Sequence, residues 1–376
     1  MIIEGKYTAA DVHAKTVEDS CAEQIRNVCN QEIFKDCKIQ IMPDCHTGSG
    51  CVIGFTSDMP RGGQIVPNLI GVDIACGMLT TKIADSRTAD DYAKLDKVIR
   101  RNVPAGFASR KFDSKLLGAE LKEKITWVCK KFIKDDFCKH YLKCGSLGGG
   151  NHFISVEKDG SGSYLIVHSG SRNFGLKIAS HFTKVAKEKC VEKYGEFKDR
   201  DPLYFLEGKD AEDYLACSAV AREYACLSRR IMTESILIGM RWDAEDQFET
   251  LHNYIGDDGI IRKGAISCKD GERVLIPLNM RDGSLICTGK GIAGWNNSGP
   301  HGAGRVMSRR TARESISMED YKASMEGIFS SCISAETVDE SPFAYKNGDE
   351  IRELVTGTAD VVAHLKPVYN FKGGKE

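Results

Sequence analysis

No apolar run approaches the roughly 18 residues that a bilayer-spanning helix needs. The opening MIIEGKYTAADVHAKTVEDS also lacks the charged-then-apolar layout of a signal peptide. The expectation is a cytoplasmic protein without a membrane partner. The chain has no CxxC pair, and its 15 cysteines are an odd number scattered through helix-like and strand-like segments. That distribution argues against a disulfide scaffold and reads as reduced, mostly buried thiols, with one available as a ligand. Net charge is missing too: 52 Lys and Arg against 53 Asp and Glu leave −1. A wholly basic nucleic-acid coat is excluded, while local basic patches are not. What is present is length and apolar content, 376 residues at 41% hydrophobic, enough for a substantial core.

The densest chemistry lies between Cys144 and Arg172, CGSLGGGNHFISVEKDGSGSYLIVHSGSR. Phe153–Val156 and Tyr164–Val167 read as strand segments around a Gly/Ser turn, a hairpin or a pair of neighbouring strands. His152 starts one strand and His168 ends the other, so antiparallel pairing brings both imidazoles to the same end of the sheet. Neutral imidazole is a common metal ligand. The flanking glycines let backbone N–H groups crowd an anion.

Upstream, Ala9–Asn30 carries helical spacing, followed by a short strand at Cys37–Ile41 and then MPDCHTGSG. Asp44 and His46 fall on the same side of an extended backbone; a surface turn would use the same residues. In GVDIACGM, Asp73 and Cys76 can reach one cation, or two that share the sulfur. A capping Asp and a buried Cys would give the same spacing. The strand-like MLTTKI follows. Residues Arg87 to Tyr141 read as mainly helical with Lys-rich, solvated faces. Phe174–Tyr194 and Asp210–Arg241 read as two more helices, the second with Met232, Ile236, Ile238 and Met240 as core. His252 and Asn253 precede a turn, Gly256–Gly259, flanked by short strands, which makes His252 the third ligand candidate. Glu272–Thr288 reads as strand, turn, strand.

In GPHGAGRVMSRRTAR, His301 precedes Gly302, Ala303 and Gly304, with a helix expected from about Arg305. Arg305, Arg309 and Arg313 would then share one face, and a glycine-preceded helix N-terminus binds anions. At such a terminus the dipole disfavours imidazolium and leaves His301 neutral and nucleophilic. A Gly-rich loop before a solvated basic helix is the other reading.

The motifs GVDIACG, GSLGGGNHF, VHSGSR, HNY and HGAGRVMSRR, in this order and at this spacing, resemble the RtcB family of RNA ligases, from MPDCH to the terminal FKGG. The resemblance implies one catalytic domain over residues 1–376 with an α/β (α+β) fold of mixed sheets and surrounding helices about a metal cleft. It implies joining of an RNA 3′-phosphate or 2′,3′-cyclic phosphate end to a 5′-hydroxyl end, with GTP and two manganese ions (Mn2+). By position, Asp73, Cys76 and His152 resemble the ligands of one metal, Cys76, His168 and His252 those of the other, and His301 the guanylylated nucleophile. Asn151, Asn279, Ser284, Tyr345 and Lys372, with Gly302 to Gly304, match nucleotide contacts. Asp44, His46, Arg172, Arg305, Arg309 and Arg313 are expected at phosphate or RNA, and an archease-like activator is an expected partner.

The chain departs from the family pattern at Thr47, Ser49, Ser155, where an acidic nucleotide contact is usual, and Asn279. It is short for the family and resembles a bacterial-type branch. By ligand softness the site would prefer zinc; manganese comes from the resemblance. A metal-dependent phosphoesterase or nuclease, which has no use for His301, and a non-catalytic RNA-end binder are the rival readings.

Overall fold

The hairpin expected around the Gly/Ser turn forms: Phe153–Asp159 pairs antiparallel with Gly162–Ser169, and Phe153 stands opposite His168. This was determined in a computed structural model that describes residues 1–84, 91–197 and 203–373. In chain order the described strands are β1 (Ile2–Glu4), β2 (Ala9–Val12), β3 (Ile39–His46), β4 (Ile53–Asp58), β5 (Gly77–Ile83), β6 (Phe153–Asp159), β7 (Gly162–Ser169) and β8 (Ala244–Leu251). There follow β9 (Tyr254–Ile255), β10 (Ile260–Lys263), β11 (Ala265–Ser267), β12 (Arg273–Asn279), β13 (Gly283–Gly289), β14 (Ser298–Pro300) and β15 (Ala359–Lys372). The helices are α1 (Asp19–Cys29), α2 (Tyr92–Asn102), α3 (Ala119–Val128), α4 (Phe137–Lys143), α5 (Arg172–Tyr194), α6 (Gly208–Met240), α7 (Arg309–Ser315), α8 (Met318–Ser324) and α9 (Gly348–Val355). The mixed α+β class with helices around sheets is as expected.

The sheet that positions the site runs β12-β13-β15-β6-β7-β5-β8, antiparallel throughout. Its two ends approach each other, since the Leu275 amide on β12 donates to Thr250 Oγ1 on β8 at 2.9 Å. The sheet is thus curled, and side-chain alternation separates an inside from an outside. Inside, Phe153, Met78, Ile166, Phe248, Leu275, Ile286 and Leu365 form one apolar cluster fed by all seven strands. Outside, Ile154, Val156, Leu165 and Val167 pack on Met232 and Ile236 of α6 and Leu95 and Ile99 of α2. Strands buried on both faces explain why β6 and β7 read as nearly continuous apolar runs. A second sheet runs β1-β2-β3-β4-β10-β9, and β11 pairs with β14.

Several expectations are corrected. Ala9–Val12 is a strand, not the start of a helix: Ala10 and Val12 alternate inward between β1 and β3, and the helix begins only at Asp19. Ile238 is 77% exposed, because it lies two residues from both Ile236 and Met240 and so turns away from their buried face. The stretch ending at Tyr141 is interrupted by irregular chain between α2 and α3, and residues 87–90 lie outside the described ones. The helix expected from Arg305 starts at Arg309, after Ser308, whose Oγ accepts from the Thr311 amide.

Candidate metal centre and its cavity

One end of the curled sheet gathers the chemistry-bearing residues. Gly77 at the start of β5 pairs with Ser169 and with Leu251, so Cys76, His168 and His252 sit on three adjacent strand ends. The His252 amide donates to the Cys76 carbonyl at 2.8 Å, and the Ala75 amide to the Asn253 carbonyl at 2.9 Å, locking the two loops together. Ala75 itself has φ +55°, a left-handed turn that an L-residue adopts only under constraint.

Among the described residues, Asp73, Cys76 and His152 form one triad with donor atoms within 4.8 Å of one another, and Cys76, His168 and His252 form a second. Cys76 Sγ lies 3.5 Å from His152 Nε2 and 3.3 Å from His168 Nε2, and His152 Nε2 lies 3.0 Å from Asp73 Oδ2. In its ligating tautomer His152 donates from Nδ1 to the Leu147 carbonyl at 3.0 Å, which leaves Nε2 bare. Asp73 Oδ1 accepts from the Ser171 amide at 2.9 Å, so its other oxygen faces the cluster. Burial, then the Asp73 charge, pushes the Cys76 thiol well above its usual range, and burial holds His168 and His252 neutral. The Nδ1 of His252 is buried without a partner. Sulfur, imidazole and carboxylate electron pairs converging in a largely buried site fit divalent cations, whose charge would deprotonate the thiol and bring the unpaired donors into use.

His301 stands next to this cluster, its ring centroid 5.0 Å from that of His252. Its Nδ1 lies 2.6 Å from Asp44 Oδ2, which also accepts the backbone amides of His301 and Gly302. Asp44 is fully buried and thus orients the imidazole from below, with Nδ1 protonated and Nε2 bare. A helix dipole does not do this, because α7 begins eight residues beyond His301. The glycines serve close approach instead: at Gly304, φ +75°, an added Cβ would meet the Asp44 carbonyl at 2.2 Å.

A cavity of about 410 Å³ opens over His168, His252 and His301. Asn151 and Gly302 to Gly304 line it, as do Asn279, Ser284, Tyr345, Lys372, His46, Arg305 and Arg309. Burial lowers His46 to about 4, and its Nδ1 contacts the Asp44 carbonyl at 3.0 Å. Of the expected residues, Arg172 lies behind the glycine loop, with its guanidinium where a side chain on Gly148 would go. Arg313 is turned to Asp339.

Two groups escaped sequence reading. Glu340 accepts from Lys372 at 2.7 Å, Tyr345 at 2.9 Å and Arg309 at 2.6 Å, while Asp339 takes Arg309 and Arg313. The basic residues at the cavity are therefore already paired with buried acids. Arg229, on a helix assigned no chemistry, is fully buried and donates to the Ala75 and Ser169 carbonyls and to Glu249, bracing the loops that carry Cys76 and His168.

Fold and site together describe an α+β protein in which two candidate cation triads share Cys76 beside an oriented histidine. Comparison with known proteins narrows this. The family described as tRNA-splicing ligase RtcB matches residues 24–141 and 129–373, and the chain belongs to it. It is 32% identical over 365 residues to the RNA-splicing ligase RtcB of Escherichia coli K12, covering 87% of this chain and 88% of that one. It is 26% identical to the tRNA-splicing ligases RtcB of Nanoarchaeum equitans and Aeropyrum pernix, covering 87% of this chain and 86% of each of theirs.

Proposed function

We propose that this chain is a GTP-dependent RNA ligase, a single catalytic domain of the cytoplasm that joins 3′-phosphate or 2′,3′-cyclic phosphate ends to 5′-hydroxyl ends in RNA repair or tRNA splicing. The observation that carries the reading is the 2.6 Å contact between His301 Nδ1 and Asp44 Oδ2 beside the cysteine-centred triads. A phosphoesterase needs the triads but not an imidazole held with Nε2 bare. His301 Nε2 attacks the α-phosphorus of GTP; the P–N bond forms, the bond to the β-phosphate oxygen breaks, and pyrophosphate leaves with the electron pair. Asp44 stabilises the positive charge that the imidazole gains. The guanylyl group then passes from nitrogen to an oxygen of the RNA 3′-phosphate. The 5′-hydroxyl attacks that phosphorus, closing the phosphodiester and releasing GMP. A cyclic phosphate is hydrolysed first. Cations held by the two triads, manganese in this reading, supply charge stabilisation for the phosphoryl oxygens. An archease-like activator is the expected protein partner.

The test is incubation with α-labelled GTP and manganese, followed by denaturing electrophoresis. An acid-labile labelled band that is absent from His301→Ala supports the reading. No band with GTP or ATP, in protein shown to hold metal, overturns it in favour of the phosphoesterase or the RNA-end binder.

A further inference from the structure

The two most exposed large apolar side chains among the described residues share one loop. Phe107 and Phe112, 78% and 81% exposed, lie between α2 and α3. Hydrogen bonds hold the loop in place. The Gly106 amide donates to the Gly148 carbonyl and the Arg110 amide to the Leu142 carbonyl, each at 2.9 Å. Lys143 Nζ donates to the carbonyls of Phe107 and Ala108. An anchored backbone that keeps two phenyl rings in water offers them to a partner.

Charge selects the partner. Residues 106–143 hold ten Lys and Arg against five Asp and Glu, in a chain whose net charge is −1. Lys111 and Lys115 stand on either side of Phe112; both are exposed, and neither forms an ion pair with a described residue. Asp113, the acid beside them, is already taken by Lys122 at 2.5 Å. Lysine is depleted around the aromatic core of protein interfaces. Ring faces for bases beside lysines for phosphates are the combination that holds single-stranded nucleic acid.

Position agrees with this. Gly148, which takes the Gly106 amide, stands three residues before Asn151, and Asn151 lines the cavity. Three residues span at most about 11 Å of chain, so a strand leaving the cavity meets the loop within a few nucleotides.

We infer that Phe107 and Phe112 form a stacking platform for single-stranded RNA outside the cavity, with Lys111 and Lys115 at the phosphates of the stacked nucleotides. The platform reads no sequence, since every base has a face to stack. The inference rests on the RNA-ligase reading above and adds to it where the strand lies once it has left the reacting end.

The test is fluorescence anisotropy with a 3′-phosphorylated single-stranded RNA of about ten nucleotides, and with the same strand made abasic in its interior while its terminal bases are kept. The proteins are metal-loaded wild type, Phe107→Ala with Phe112→Ala, and Lys111→Ala with Lys115→Ala. Wild type is expected to bind the intact strand at least tenfold more tightly than the abasic one. The phenylalanine variant should bind the two strands within about threefold of each other. A ratio within one sample is unaffected by the fraction folded. The lysine variant should keep the ratio and lower the slope of log affinity against log salt by about 1.4, as the loss of two phosphate contacts requires. An unchanged ratio in the phenylalanine variant overturns the inference and leaves the rings to a protein partner. So does an unchanged salt slope in the lysine variant, or a wild type that binds both strands alike or neither. Ring-dependent binding of RNA without any labelling of His301 would leave this inference standing and sink the ligase reading.

Discussion

Asp44 and His301, 257 residues apart in the chain, meet through a 2.6 Å contact between Oδ2 and Nδ1, and the same oxygen accepts two backbone amides of the His301 turn. One carboxylate therefore sets the position, the ring orientation and the tautomer of the candidate nucleophile.

Replacing it tests that triple role. Asp44→Asn keeps an acceptor for the amides and removes the negative charge beside the His301 ring. Labelling of His301 by GTP should slow by about 100-fold or more, while metal content and melting temperature change little. Labelling within twofold of wild type would show that the proton on Nδ1 is not held by Asp44.

Cys76 belongs to both triads. Cys76→Ser should lower metal binding at both positions together, whereas His152→Ala and His252→Ala should each spare one. Cobalt titration reads this directly, since the sulfur-to-metal absorption band disappears with Cys76. Zinc should displace manganese, as divalent affinities for such ligands predict. A cobalt thiolate band that survives in Cys76→Ser would remove the shared sulfur from the site.

Gly170 is pressed against the other side of Asp73: an added Cβ would fall 2.2 Å from Asp73 Oδ1. Gly170→Ala should displace that carboxylate and cost about 10- to 100-fold in metal affinity at its triad. Equilibrium dialysis with manganese would measure it, and unchanged affinity would mean that Asp73 does not ligate.

Glu340 gives the pH prediction. Burial alone would raise its carboxyl, but the charges of Lys372 and Arg309 and the Lys372 hydrogen bond outweigh it and hold the group at about 2, below its ordinary 4.5. A depressed carboxyl contributes stability that is complete above the unfolded value and is lost as pH falls from 4.5 toward 2. The contribution is on the order of 3 kcal/mol. Urea unfolding at a series of pH values should show this loss in the wild type and a flatter profile in Glu340→Gln. Parallel profiles would assign the acid sensitivity to other carboxylates.

Much of the site was legible in sequence because its residues are chemically unusual. Asp73, Cys76, His152, His168 and His252 are ligand types flanked by glycines at strand ends, and the β6–β7 hairpin announces itself by its turn and its apolar runs. The cavity wall and the bracing were harder to see. Ser155 stood out as a departure from the family pattern, but that its hydroxyl and that of Ser284 both donate to the buried Glu157 appears only in the folded sheet. Arg229 looks like any charge on a long helix until the helix is docked behind the Cys76 loop. Arg305, Arg309 and Arg313 share helical spacing, but the glycines after His301 serve packing against β3 and delay the helix to Arg309. Ala9–Val12 is too short for a two-residue period to stand out from a helical one.

The order of strands in the large sheet bears on how the protein is made. β15 follows every other described strand in the chain, yet it lies between β13 and β6 in the middle of the sheet. During synthesis a ribosome-bound chain can own both donor triads while its curled sheet still has a gap where β15 belongs. Lys372, at the end of that strand, also closes on Glu340 and the cavity wall. A nascent chain is thus barred from closing the cavity until translation has passed β15, so the finished site arrives in one late step and not by degrees.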